Sequence, residues 1–133
     1  MNPLYPKVAV RAGNCCEYCR APEEVFNFSF EVEHITPRSL GGTDADNNLA
    51  LGCRACNLYK SNRVRGIDPN NGEDVRVFNP REDHWEEHFV VDAESATLAG
   101  ITSTGRATVS CLEMNTTAQV KARRQWIRLG LFP

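Results

Sequence analysis

The sequence predicts an α+β domain: two short strands and one helix gathered around a four-cysteine metal centre, followed by an antiparallel strand and helical-hairpin extension. Three observations predict it. The pairs Cys16/Cys19 and Cys53/Cys56 each enclose two residues, the spacing at which one knuckle presents two thiolates to a tetrahedral ion. Between them the chain alternates apolar and polar residues and then turns at Gly41 and Gly42, as two short strands would. After them come a run of strand-like segments and two stretches with helix caps.

Length and composition set the bounds. With 133 residues, 41% hydrophobic and 24% charged, the chain fits one modest domain that a structural metal would help to staple. No low-complexity tract or solenoid period is present, and no apolar stretch approaches a membrane span of about 20 residues. The N-terminus lacks the basic-then-apolar layout of a signal peptide, so the expectation is a soluble cytoplasmic protein, with no membrane partner. In that reducing compartment six cysteines point to metal ligation rather than to disulfides. The net charge of −2 hides an uneven distribution: Arg54, Lys60, Arg63 and Arg65 form one basic segment and Lys121, Arg123, Arg124 and Arg128 another, with nine acids in residues 68–94 between them.

Taken in order, Pro6 at a first helical position, Val8 to Ala12 and then Gly13 predict a short helix leading into the cysteines. Residues 25–32 read as a half-buried strand that must end near Pro37, and Asn48 to Leu51 as its returning partner. From Cys53 to about Val64 the composition suits a helix, stopped by the turn Asp68–Pro69–Asn70–Asn71–Gly72. Val75–Phe78, Phe89–Asp92 and Ala96–Thr102 read as further strands, the last two joined around Ala93, Glu94 and Ser95. Thr104 is expected to cap a helix to about Met114, and Asn115 or Thr116 another to Leu129 before Gly130. The expected division is a core over residues 1–66 and an extension over 67–133, packed together as one unit.

The four cysteines predict structural zinc, against the alternative of unrelated buried thiols. Cys15 is a weaker alternative ligand and Cys111 reads as a core residue. Residues 20–52, which separate the pairs, exceed the spacer of a compact zinc ribbon, so the insert carries something more. In a helix from Cys53, residues 53, 56, 57 and 60 share one face, which sets Asn57 and Lys60 beside the zinc anchor and toward the strand that bears His34. Asn57 and Glu33 offer hard oxygen donors suited to magnesium or manganese rather than to zinc. His34 is the side-chain type suited to taking a proton from water near neutral pH.

Cys16 to Cys19, then Glu33-His34-Ile35-Thr36-Pro37-Arg38-Ser39-Leu40-Gly41-Gly42, then Asn47-Asn48-Leu49, then Cys53 to Asn57 and Lys60, resemble the HNH endonuclease motif in order. The resemblance covers about residues 11–63. It implies the ββα-metal fold, in which two strands and a helix grip a catalytic ion. It also implies hydrolysis of DNA phosphodiester bonds, with double-stranded DNA the favoured partner. On that reading His34 is the general base, Glu33 and Asn57 hold the magnesium or manganese ion, and Asn48 orients the histidine. One difficulty is geometric: along a regular strand Glu33 and His34 face opposite sides, so a shared site needs the strand to end or twist, as Pro37 permits.

Other features carry blander alternatives. Lys60 is expected either at a phosphate or as a solvated helix lysine. Arg54, Arg63 and Arg65 are expected on the nucleic-acid backbone, where contacts supply sequence-independent affinity. His84 and His88, four apart, do not follow the zincin order, and surface packing is the favoured reading. In the last helix Val120, Trp126, Ile127 and Leu129 would line the apolar side while Lys121, Arg123, Arg124 and Arg128 stay wet. The rival to an enzyme is a noncatalytic zinc-dependent nucleic-acid-binding or adaptor module, which needs the cysteines but not Glu33, His34, Asn48 and Asn57. The residues neither require nor exclude a homo-oligomer.

Overall fold

Pro6 needs no hydrogen-bond partner in the first turn of α1 (Tyr5–Arg11), and Gly13 follows the helix with φ +63. The computed structural model, which describes residues 2–133, packs Val8 and Ala9 of this helix into the core. Arg11 at its end reaches across to the carbonyls of Asp46 (2.9 Å) and Leu49 (2.5 Å), fixing α1 to the start of the second strand.

Strands β1 (Glu31–His34) and β2 (Leu49–Gly52) form an antiparallel pair in the register Glu31↔Gly52, Val32↔Leu51, Glu33↔Ala50 and His34↔Leu49. All of β2 is buried. The first strand is shorter than the expected residues 25–32. Glu23–Val25 is a 3-10 turn, and the Glu23 carboxylate accepts the Phe30 N–H at 2.6 Å. The apolar alternation there serves packing instead of a ladder: Phe26 lies 4.8 Å from Phe30 and 6.1 Å from Trp126, ring centre to ring centre.

Helix α2 (Arg54–Lys60) starts on Cys53, whose sulfur caps the Cys56 N–H, and stops four residues before the expected Val64 because Ser61 turns to φ +52. Arg63 covers its last carbonyls, those of Tyr59 and Lys60. The chain then forms a hairpin that the sequence did not announce on its first side, β3 (Arg65–Ile67) paired with β4 (Asp74–Arg76). A one-turn helix α3 (Trp85–His88) leads into β5 (Phe89–Asp92) and β6 (Thr97–Gly100), again antiparallel.

Helix α4 (Ser103–Cys111) is capped by Thr102, two residues before the expected Thr104, and packs against both β6 and the β3–β4 hairpin. Its approach is close enough that a Cβ on Gly105 would lie 2.1 Å from the His88 carbonyl oxygen. Helix α5 (Thr117–Arg128) is capped by Thr116. Arg123, expected on its wet face, is fully buried.

The buried cluster is continuous across both halves of the chain, from Val8, Tyr18, Leu49 and Leu51 to Phe78, Trp85, Phe89, Leu98 and Trp126. Trp85 donates its indole N–H to the Tyr18 carbonyl at 2.8 Å, and Arg81 pairs with Glu17, so the extension is tied directly to the first cysteine knuckle. Among the described residues no helix is long and apolar enough to cross a membrane.

Candidate active site and zinc centre

Each cysteine pair is shaped by the same local device. The Cys16 sulfur faces the Cys19 N–H at 3.5 Å and the Cys53 sulfur faces the Cys56 N–H at 3.4 Å, which turns both sulfurs of each pair inward. The four sulfurs are buried and lie within 4.8 Å of one another. A tetrahedron with metal–sulfur bonds of about 2.3 Å has edges of about 3.8 Å. Cys19 and Cys53 stand 3.7 Å apart, so the donor set fits zinc. Four thiols this close do not ionise independently. Their mutual contacts and burial push thiols such as Cys19 and Cys56 well above the ordinary range, and a divalent cation is what makes four thiolates compatible. Cys15 stands outside the cluster, as does Cys111.

The alternation of β1 decides what its acids and histidine can reach. Glu31 and Glu33 face α2. Glu33 is 4% exposed and both of its oxygens are engaged: Oε1 by the Lys60 ammonium at 2.6 Å and Oε2 by the Tyr18 hydroxyl at 2.6 Å. Burial raises the Glu33 carboxyl above its ordinary range while the Lys60 charge pulls it back. Lys60, itself 1% exposed, also donates to the Ile35 carbonyl at 2.9 Å and approaches that of His34 at 3.4 Å. It is an interior strut rather than the phosphate contact or solvated lysine expected from the sequence.

Asn57 donates its amide to Glu31, not to a site shared with Glu33. The expected donor pair for a catalytic ion, Glu33 with Asn57, therefore does not fit one as arranged. One member is sealed in with a lysine and the other is spent on a different carboxylate.

His34 projects to the other side, where its Nε2 lies 2.7 Å from Asp44 Oδ1, and Arg38 donates to the same oxygen at 2.6 Å. The His34 hydrogen bond, then that of Arg38, holds the Asp44 carboxyl below its usual range. The imidazole is 22% exposed, open to solvent without being loose. Asn48, expected to orient His34, instead pins the loop that carries Asp44. Its Oδ1 accepts the Thr36 N–H at 2.8 Å, and its Nδ2 donates to the carbonyls of Thr36 and Thr43, each at 2.9 Å. The glycine pair serves the same loop. Gly41 adopts φ +90, and a Cβ on Gly42 would meet the Thr36 carbonyl oxygen at 1.7 Å.

The basic residues are placed unevenly. Arg54 is largely exposed, with Glu31 3.9 Å away. Arg63 is bound to carbonyls, including that of Cys111, and Arg65 is paired with Asp74 at 2.9 Å. His88 ends α3 with Nδ1 at 2.6 Å from the Thr102 hydroxyl, while His84 precedes that helix. Sequence reasoning missed Asp44, Arg38 and Tyr18. Asp44 and Arg38 lie in a loop where nothing periodic marks a partner for His34, and a tyrosine inside a cysteine knuckle gives no hint of its distant carboxylate.

A family model described as HNH endonuclease matches residues 16–63, the stretch from the first knuckle through α2. No curated protein and no solved structure matches the chain. The match identifies a nuclease-family domain, which implies a nucleic-acid substrate.

Proposed function

From the premise that residues 16–63 form an HNH endonuclease domain, we propose that the chain hydrolyses DNA phosphodiester bonds with His34 as general base. The observation that carries this reading is the 2.7 Å contact between His34 Nε2 and Asp44, made by a histidine side chain that is still 22% exposed. A carboxylate there favours the neutral tautomer protonated on Nε2, leaving Nδ1 to accept a proton. A water held at Nδ1 gives up that proton as its oxygen attacks phosphorus in line. The new P–O bond forms as the bond to the leaving sugar oxygen breaks, and that oxygen takes up a proton as the alcohol.

Arg38, exposed and already beside Asp44, is a cation available to a phosphate approaching His34. Arg54 offers a second backbone contact on the α2 side, and double-stranded DNA is the substrate favoured by the family. Magnesium or manganese belongs to this reading as an added requirement of the reaction; no step is assigned to it through Glu33 and Asn57, whose donors are committed elsewhere. That commitment is also the observation favouring the second reading, a zinc-dependent module that binds nucleic acid or a partner protein without cutting.

Plasmid nicking separates the two. With magnesium or manganese added, the parent should nick supercoiled DNA, and His34→Ala should lose roughly 10²–10⁴-fold in rate while keeping its zinc and its circular dichroism. A His34→Ala protein that cuts as fast as the parent ends the assignment. A parent that binds DNA but cuts with neither metal favours the module.

A further inference from the structure

Two cations of α1 are tied to the loop that holds His34. Lys7 and Arg11 stand one turn apart on the exposed side of the helix, while Val8 and Ala9 between them are buried. The Lys7 ammonium meets Asp46 Oδ1 at 2.6 Å, and Arg11 donates to the carbonyls of Asp46 and Leu49 at 2.9 and 2.5 Å. Leu49 is the cross-strand partner of His34, and Asp46 lies two residues beyond the Asp44 that holds the imidazole. Arg38 reaches Asp44 from the other end of the same loop.

All three side chains are open to water: Lys7 is 60% and Arg38 67% exposed, and Arg11 is exposed as well. Asp46 and Asp44 answer Lys7 and Arg38 through exposed ion pairs, which are worth little and give way readily to another anion. Arg11 donates to carbonyls alone, so it adds a charge that no ion pair of its own offsets. The loop beneath them is fixed by the Asn48 bonds to Thr36 and Thr43, which spares a ligand much of the cost of ordering it. Arg63 and Arg65, expected from the sequence to hold a backbone, instead follow α2, which packs on the Glu33 face of β1 and not on the imidazole's.

We propose that Lys7, Arg11 and Arg38 form the surface on which double-stranded DNA lays its phosphate backbone beside His34. Such cations bind phosphates without regard to base sequence and set the register of the duplex on the protein. This rests on the nucleic-acid reading of the domain and is independent of whether the domain cuts. The experiment measures binding of the full, zinc-loaded chain to a fluorescein-labelled DNA duplex by anisotropy, over a range of salt concentrations and without added magnesium or manganese. Parent, Lys7→Gln, Arg11→Gln, Arg38→Gln, Asp46→Asn and Arg128→Gln are compared, the last removing an exposed cation of α5.

Each of the three glutamine variants at the surface should weaken binding to duplexes of unrelated sequence alike. Each should also flatten the slope of log affinity against log salt by about 0.9, the release of one phosphate's counterion. Arg128→Gln should keep the parent slope. Asp46→Asn, which frees Lys7 of its carboxylate, should tighten binding, a gain that a damaged fold does not produce. Parent-like slopes in Lys7→Gln and Arg38→Gln, an equal fall in Arg128→Gln, or looser binding by Asp46→Asn overturns the proposal. Should Arg11→Gln lose its circular dichroism, the double variant Lys7→Gln with Arg38→Gln decides: a slope lower by about 1.8 supports the surface, and a parent-like slope ends it. A parent that binds no duplex at any salt overturns the proposal together with the nucleic-acid reading, a result distinct from a binding parent whose slope the substitutions do not move.

Discussion

Lys60 and Glu33 meet in the interior between α2 and β1, and the Tyr18 hydroxyl completes the carboxylate's partners. Because Lys60 also holds the Ile35 carbonyl, this network fixes the end of the strand from which His34 projects. A buried pair contributes little against well-packed apolar replacements, yet losing one partner strands the other charge. Lys60→Met should therefore cost about 3–5 kcal/mol in urea unfolding, and adding Glu33→Leu should recover much of that loss. If the two substitutions are simply additive, the pair is not coupled as its geometry implies. The charge lesson at this scale is that a lysine at helical spacing from two cysteines is read as a phosphate contact or a solvated lysine until burial is known.

At the scale of elements, α4 is the wedge between the two C-terminal hairpins, and a single acid clamps it. Asp68, buried in the β3–β4 loop, receives Arg106 Nη2 at 2.8 Å and Nε at 3.0 Å together with the Ser103 hydroxyl at 2.8 Å. Arg106 foremost holds its carboxyl far below the ordinary carboxylate range. The sign follows from linkage: a depressed folded pKa gives stability that is fully present above the unfolded value of about 3.9 and is lost as pH falls through the folded value. Asp68→Asn should therefore be clearly less stable than the parent at pH 7, with the gap narrowing once the pH drops well below about 4. A gap unchanged down to pH 2 in thermal melts would show that charge is not what the clamp contributes. The turn at Asp68–Gly72 was legible from its composition, whereas β3 was hidden at the end of a basic run, because its inward residue is Gly66 while Arg65 and the apolar Ile67 are exposed, so no apolar alternation marks it.

Across the whole molecule the four-cysteine cluster is the point where the first knuckle and α2 meet, and Ala122 and Trp126 of the last helix line a cavity with Cys53 beside it. A chain of this size with such a shared anchor should depend on it. Purified protein should carry about one equivalent of tightly bound zinc, and stripping it with a strong chelator should abolish the cooperative thermal transition. A metal-free protein that melts as sharply as the zinc-loaded form would remove the cysteines from their structural role. The continuous core also explains why residues 67–133 do not read as a loose appendage: Phe78, Trp85 and Phe89 pack into the same cluster as Tyr18 and Leu51.

By itself the sequence determined the features that depend on spacing along the chain: the two knuckles, the glycine turn at Gly41 and Gly42, the helix carrying Cys56, Asn57 and Lys60 on one face, and the presence of two C-terminal helices. Local geometry fixes these, since residues two, three or four apart meet wherever the segment is placed. Only the tertiary structure decided that Glu33 is sealed against Lys60, that Asp44 rather than Asn48 holds His34, and that Arg123 is interior while Lys121 and Arg128 are exposed. Those outcomes depend on which face of a strand or helix is covered by an element far away in sequence. Periodicity says that two faces exist, and packing chooses between them.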